Sequence, residues 1–118
     1  MDIITAIYII ASVIMAEAKG EGQQGMKLVA DVIHTRTQTR KLSAIEVVTD
    51  QGEFHGLYHI SKQNHHTPEG RFAYGLACEL VNGVDPIPNQ SFEYFTSNKP
   101  LGIPVNSLRY KNHLFYNL

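Results

Sequence analysis

Glu17 is the residue of this sequence whose surroundings most favour acid–base chemistry. It follows the almost wholly apolar run from Ile3 to Ala16, and Gly20 lies just beyond it. Because partial loss of water disfavours the charged form of a carboxyl group, we expect a raised pKa for Glu17. A glutamic acid that stays protonated near neutral pH can protonate a poor alkoxide leaving group, which glycoside cleavage requires. The alternative is that Glu17 is simply the first polar residue where the helix reaches the surface.

Four histidines form a second candidate group because they lie close together in the sequence. His55 and His59 have the i, i+4 spacing of zinc ligands on a helix, and His65 and His66 follow. Gly56 and the lack of a helical period argue against a helix there, and adjacent histidines rarely share one metal ion. We therefore predict no metal site and no cofactor, and a zinc enzyme stays the alternative.

The composition is that of one folded domain, residues 1–118. Hydrophobic residues make up 43% of the chain and charged residues 18%, which excludes a disordered protein. Lys and Arg number 10 against 11 Asp and Glu, so a net charge of -1 gives no general attraction to nucleic acids or anionic membranes. Cys78 is the only cysteine, which excludes an intramolecular disulfide and a cysteine-based zinc site. We expect no nucleic-acid partner and no stable membrane association.

The apolar run before Glu17 predicts a helix that is buried on all sides. Its roughly 14 apolar residues fall short of the ~20 that span a bilayer. A secretory signal begins with basic residues, whereas Asp2 is the only charged side chain ahead of this run. We therefore expect no export signal and no membrane span.

The rest of the hydrophobic pattern predicts three further helices and two short strands. Apolar residues at i, i+3, i+4 and i+7 indicate a helix that begins after Gly22 and ends near Thr39, and a capping box at 43–46 precedes a short one. Start and stop signals bound a fourth helix over 67–83. The aromatic segments 91–96 and 114–116 are strand-like. The predicted fold class is mainly α, of the α+β kind, with about four helices and a small irregular β-hairpin near the C-terminus.

Several sequence elements follow one another over nearly the whole chain. They are Glu-Ala-Lys-Gly-Glu at 17–21, Gly25, Val-Ala-Asp-Val-Ile at 29–33, Arg36, Val48 followed by Gly-Glu-Phe at 52–54, small apolar residues at 73–81, Tyr94–Phe95, and Asn-His-Leu-Phe-Tyr at 112–116. In order and spacing these elements resemble the SleB/CwlJ-type cell wall hydrolases, the peptidoglycan-cleaving domains of spore-cortex-lytic enzymes and many phage lysins.

The chain departs from that family pattern at three positions. Lys19 stands where the family has arginine, Thr35 where it has asparagine, and Glu53 where it usually has glutamine. The last change adds a carboxylate near the implied groove, where it either faces solvent or acts as a second acid–base group. Arg36 matches the pattern, and we interpret it as a structural residue that pairs with a carboxylate.

The resemblance implies a lysozyme-like fold that cleaves the β-1,4 bond between N-acetylmuramic acid and N-acetylglucosamine. Glu17 matches the catalytic glutamate, which in lytic transglycosylases protonates the glycosidic oxygen and then takes a proton from the C6 hydroxyl to close a 1,6-anhydro ring. The implied substrate-binding residues are Glu21, Glu53, Phe54, Tyr94, Phe95, Asn112, His113 and Tyr116. The implied partner is a peptidoglycan glycan strand, bound by a monomer.

The residues themselves leave several roles open. A hydrolase needs a second carboxylate, roughly 5–5.5 Å from the acid for retention or roughly 6.5–9.5 Å for inversion. Glu21, Asp50 and Glu53 are the plausible suppliers. The aromatic pair 94–95 either stacks on sugars or fills the core. The pair 112–113 binds N-acetyl groups or the muramic lactyl carboxylate, or else forms structural hydrogen bonds at loop ends.

Two other functions remain as alternatives at this level. One is a zinc amidase that also attacks peptidoglycan, and the other is a non-catalytic wall-binding or phage structural module. For the glycosidase we expect synthesis in the cytoplasm of a phage-infected host and action on the cell wall, with a virion-carried or spore enzyme as the alternative.

Overall fold

Four α-helices and a three-stranded sheet make up the part of the chain that the computed structural model describes, which is residues 1–50, 54 and 65–118. The helices are α1 (Ile3–Glu17), α2 (Gly22–Arg40), α3 (Ala44–Thr49) and α4 (Pro68–Val81). The strands are β1 (Tyr94–Thr96), β2 (Asn106–Tyr110) and β3 (His113–Asn117). The protein is therefore mainly α with a small β part, as the sequence predicts. Glu53, His55 and His59 lie outside the described residues, so the predictions made on them stay predictions.

The helices begin where the sequence carries capping signals. The Asp2 carboxylate accepts a hydrogen bond from the Thr5 backbone N–H at 2.8 Å and caps α1. Ser43 and Glu46 form the complete capping box ahead of α3. Thr67 caps α4, whose first helical position is proline. Each cap satisfies a backbone donor that the helix leaves unpaired and stabilises the fold by about 1 kcal/mol.

Helix α1 is buried on one side rather than on all sides. Its inner face packs against α2, α3 and α4, and Ile10 and Val13 are fully buried there. Ile3, Ile4 and Tyr8 are exposed on the other side. The prediction of complete burial is therefore wrong for the first two turns, because apolar composition alone does not say which face the neighbouring helices cover. Among the described residues, no helix combines the length and the apolar character that crossing a membrane requires.

The sheet is antiparallel, with β3 in the centre and β1 and β2 at its edges. Phe115 of β3 pairs with Phe95 on one side and with Leu108 on the other. The sequence predicts β1 and β3 from their aromatic residues but not β2, so the expected two-stranded hairpin is a three-stranded sheet. Strand β2 reads Asn-Ser-Leu-Arg-Tyr and alternates exposed and half-buried residues, which is a weak hydrophobic signal.

Polar contacts attach the sheet to α2. The Phe92 backbone N–H donates to Asp31 Oδ2 at 3.1 Å. Arg36 Nε donates to the Glu93 carbonyl oxygen at 2.8 Å, and Arg40 Nε lies 3.3 Å from the Glu93 carboxylate. These contacts fix the start of β1 beside α2, and they bring the aromatic residues of the sheet to the end of α1.

Candidate active-site cleft

Helices α1 and α2, strands β1 and β3, and the segment after β1 together form one cleft of about 460 Å³. The residues that line it are Glu17, Arg36, Tyr94, Phe95, Thr96, Ser97, Lys99, Leu101, His113 and Tyr116. The volume falls within the range of roughly 300–1,000 Å³ that is typical of ligand sites. The fold therefore gathers five of the nine site residues implied by the sequence into one concave surface.

Glu17 is the last residue of α1 and is half-buried. The final turn of α1 is closed by a hydrogen bond from the Ala18 backbone N–H to the Ile14 carbonyl oxygen at 3.0 Å. The chain then turns into α2 through Gly20 and Gly22, whose φ angles of 79° and 73° favour glycine. The two glycines thus turn the chain directly after Glu17, which lines the cleft.

Stacked aromatic rings form one wall of the cleft. Tyr94 stacks on Tyr116 with ring centroids 5.4 Å apart, and Phe95 stacks on Phe115 at 5.7 Å. Tyr94 and Phe95 are half-buried, whereas Tyr116 is buried and its hydroxyl oxygen accepts a hydrogen bond from the Leu101 N–H at 3.0 Å. Tyr94 and Phe95 therefore both pack on the sheet and line the cleft, and their stacking on sugars stays a prediction.

Arg36 and Phe54 pack against the aromatic residues of this wall. Arg36 is buried, and its guanidinium carbon lies 5.0 Å from the centre of the Phe54 ring and 5.9 Å from that of Tyr94. Phe54 is only 2% exposed, packs 6.0 Å from Phe95 and is not part of the cleft lining. Phe54 is thus a core residue in this geometry rather than a substrate contact. Arg36 has the structural role expected of it, although the bond to Glu93 is to a backbone carbonyl rather than to a carboxylate.

Glu21 is turned away from the cleft and towards His113. Its side chain is almost completely buried, and Oε1 is hydrogen-bonded to His113 Nδ1. The Tyr110 hydroxyl donates to the Glu21 carbonyl oxygen at 3.1 Å. A Cβ atom at Gly25 would lie 2.5 Å from Glu21 Cβ, so only glycine fits at that position without moving Glu21. His113 lines the cleft and Glu21 does not, so Glu21 reaches the cleft only through the imidazole.

The remaining candidate residues lie away from the cleft lining. Asn112 is exposed in the turn between β2 and β3. Asp50 is exposed at the end of α3, 3.9 Å from Arg40 Nη1. Within residues 1–50, 54 and 65–118, Glu17 is the one carboxylic acid that lines the cleft.

The sequence analysis missed part of the cleft wall. Thr96 at the end of β1 lines it, as do Ser97, Lys99 and Leu101, which follow β1 in a segment with no recognisable motif. The only local signal is their position directly after an aromatic strand and around Pro100. Lys99 is exposed and adds a cation to the cleft beside Arg36 and His113.

His65 belongs to a separate buried contact rather than to the cleft. Its Nε2 lies 2.8 Å from Ser12 Oγ, and its ring stacks on Tyr8 with centroids 4.1 Å apart. Because the Ser12 hydroxyl donates to the Tyr8 carbonyl oxygen, Nε2 is the nitrogen that carries the proton. Burial, together with the charge of His66, lowers the pKa of His65. Among the described residues, no three His, Cys, Asp or Glu side chains are grouped as metal ligands.

Comparison with known proteins places the chain in no family. No protein-family model matches it, and no curated protein or solved structure is found to be similar to it.

Proposed function

We propose that the protein is a peptidoglycan-degrading glycosidase that cleaves the β-1,4 bond between N-acetylmuramic acid and N-acetylglucosamine as a lytic transglycosylase. The observation that carries this proposal is the position of Glu17, a half-buried acid at the end of α1 in a cleft walled by Tyr94 and Phe95. Aromatic faces bind the apolar faces of sugars, and a partly desolvated acid is suited to protonating a glycosidic oxygen.

In the proposed mechanism Glu17 acts twice. Its carboxyl proton passes to the glycosidic oxygen as the bond to the muramic C1 breaks, and an oxocarbenium-like centre forms on that sugar. The Glu17 carboxylate then takes the proton of the muramic C6 hydroxyl as this oxygen bonds to C1. The products are a 1,6-anhydromuramic end and a free N-acetylglucosamine hydroxyl, and Glu17 regains its proton.

This route requires one carboxylic acid, and the described part of the cleft presents one. Glu21 is buried against His113, and Asp50 lies outside the cleft. The third candidate for the second carboxylate of a hydrolase is Glu53, which lies outside the described residues. The arrangement of the described acids is therefore compatible with single-acid transglycosylation.

The proposal also includes where the protein acts. We infer that it is made in the cytoplasm of a phage-infected host and acts as a monomer on the glycan strands of the cell wall. This part of the proposal rests on the resemblance of the motif at 17–21, and of the sequence elements that follow it, to phage lysin domains.

Digestion of purified peptidoglycan followed by mass spectrometry of the soluble products tests the proposal. We expect muropeptides with anhydromuramic ends from the unaltered protein and none from Glu17→Gln. Glu79→Gln is the matched control, because Glu79 is exposed on α4 and away from the cleft. Appreciable cleavage by Glu17→Gln would show that another group is the acid. Intact glycan chains would overturn the proposal, and activity lost to a chelator and restored by zinc would indicate an amidase.

A further inference from the structure

We propose that Glu21 is a positioning residue that holds His113 as a hydrogen-bond donor in the cleft, where His113 and Lys99 bind a carboxylate carried by the glycan. The inference deepens the proposed function and rests on it, since it names the chemical class of glycan that the cleft takes. It assigns Glu21 a role that does not require contact with the substrate, since Glu21 does not line the cleft.

Glu21 is buried and paired with His113. A carboxylate with a side chain only 3% exposed is costly unless it is paired. Its Oε1 is bonded to His113 Nδ1, while Oε2 is buried and has no hydrogen-bond partner among the described residues. A carboxylate only accepts hydrogen bonds, so Nδ1 carries the proton in this pair. The pair therefore leaves Nε2 as the ring nitrogen that can bind another ligand.

The Glu21 pair sets the orientation of His113. With Nδ1 held by Glu21, Nε2 is the ring nitrogen left for a ligand, and the side chain is 15% exposed and lines the cleft. Phe95 and Phe115 contact the imidazole at interplanar angles of 71° and 60°, which holds the ring in place. With its proton on Nδ1, a neutral imidazole only accepts at Nε2, so binding of a carboxylate there requires the imidazolium, which donates through both nitrogens. The bond to Glu21 thus orients His113 to bind a carboxylate in that form.

The cleft carries basic side chains. Lys99 is exposed in its wall and Arg36 lies near the Tyr94 ring, so two permanently basic side chains line a cleft with one described acid, Glu17. Such a surface favours an anionic ligand. Muramic acid carries a carboxylate on its lactyl group, and a peptide stem attached there carries others. Carboxylate is the chemistry these two sources share.

The backbone around Glu21 shows that this pair is built into the fold. Gly25 allows Glu21 to approach closely, and the Tyr110 hydroxyl holds the Glu21 carbonyl oxygen from the sheet side. The contact joins the start of α2 to β3 across 92 residues of sequence. Glu21 and His113 are therefore fixed from two independent elements, as a preorganised binding group requires.

The test measures binding without cleavage. In the Glu17→Gln protein, dissociation constants are determined by calorimetry for three probes. The first is the disaccharide of N-acetylglucosamine and N-acetylmuramic acid with a free lactyl carboxylate, the second is the same disaccharide with a dipeptide stem, and the third is uncharged diacetylchitobiose. We expect one of the two acidic probes to bind about ten-fold more tightly than diacetylchitobiose, as loss of one charge-assisted hydrogen bond implies. The tighter of the two identifies the lactyl group or the stem as the source.

Variants in the same background separate positioning from general structure. Adding Glu21→Gln or His113→Gln is expected to reduce the preference to about one, because the charged contact is lost. Diacetylchitobiose binding, measured in the same variants, reports any wider change in the cleft. Glu69→Gln is the control, since Glu69 is exposed in the first turn of α4. Lys99→Gln changes an exposed side chain and is expected to weaken the preference without affecting folding, so it tests the anion site should a change at Glu21 prevent folding.

The outcomes separate this inference from the proposed function. Equal binding of all three probes, or a preference that survives both Glu21→Gln and Lys99→Gln, overturns the inference. If the unaltered protein still releases anhydromuropeptides, the proposed function stands without it. If peptidoglycan stays intact while the acidic preference depends on Glu21 and His113, the anion site stands and the glycosidase falls.

Discussion

Asp31 offers a quantitative test of how the sheet is attached to α2. The side chain is fully buried, Oδ2 accepts the Phe92 N–H, and Oδ1 has no hydrogen-bond partner among the described residues. Burial raises the pKa of Asp31 from 3.8 to about 7, with a smaller upward contribution from the charge of Asp85 and an opposing one from the Phe92 hydrogen bond. The perturbation is Asp31→Asn, which retains an acceptor for Phe92 and cannot ionise.

Proton linkage gives the sign and size of the effect of Asp31→Asn on the free energy of unfolding. Between about pH 4 and about pH 7 the folded protein holds a proton on Asp31 that the unfolded chain has released, so the free energy of unfolding falls as the pH rises. At about 1.4 kcal/mol for each pH unit, the loss reaches up to about 4 kcal/mol above pH 7. Asp31→Asn therefore removes this loss, and the variant should be more stable than the unaltered protein by up to about 4 kcal/mol at pH 8.

Urea unfolding at pH 4.5 and pH 8 measures this directly. The two proteins should be of similar stability at the lower pH and should differ at the higher one. Asp50→Asn serves as the control, because Asp50 is an exposed carboxylate whose pairing with Arg40 contributes less than about 1 kcal/mol at either pH. A stability difference between the Asp31 variant and the unaltered protein that is the same at both pH values would refute the reasoning.

Three further changes test other parts of the structure. Gly25→Ala should displace Glu21, because the new Cβ would lie 2.5 Å from Glu21 Cβ. Nuclear magnetic resonance should then show a shifted His113 ring signal. An unchanged signal would contradict the close packing of Gly25 against Glu21. Tyr94→Leu should raise KM for peptidoglycan more than it lowers kcat, because a stacking contact of about 1 kcal/mol with the bound sugar is lost. An unchanged KM would show that Tyr94 does not bind the sugar. Ser43→Ala should lower the free energy of unfolding by about 1 kcal/mol in urea titrations, and no change would show that the capping box does not stabilise α3.

Local signals allowed much of the helical part to be predicted from the sequence. The caps at Ser43 and Thr67 depend on contacts three residues apart, which the sequence shows directly. The end of α1 at Glu17 followed from the glycines just beyond it. The position of Glu17 at the end of α1 is therefore predictable from local sequence alone.

Features that depend on contacts distant in sequence were not predictable in this way. The burial of Glu21 results from β3 bringing His113 across to the start of α2, and no local pattern indicates it. Lys99 reaches the cleft only because the segment after β1 passes along its edge. Strand β2 pairs at the sheet edge through its backbone, so its polar sequence carried little signal.

The most direct test of the central claim is digestion of peptidoglycan in water enriched in oxygen-18, followed by mass spectrometry of the new ends. If Glu17 closes a 1,6-anhydro ring, the new muramic ends carry no oxygen from water and are absent with Glu17→Gln. Reducing ends that each carry one oxygen-18 atom would contradict the single-acid mechanism, and unlabelled, uncut glycan would contradict the glycosidase function itself.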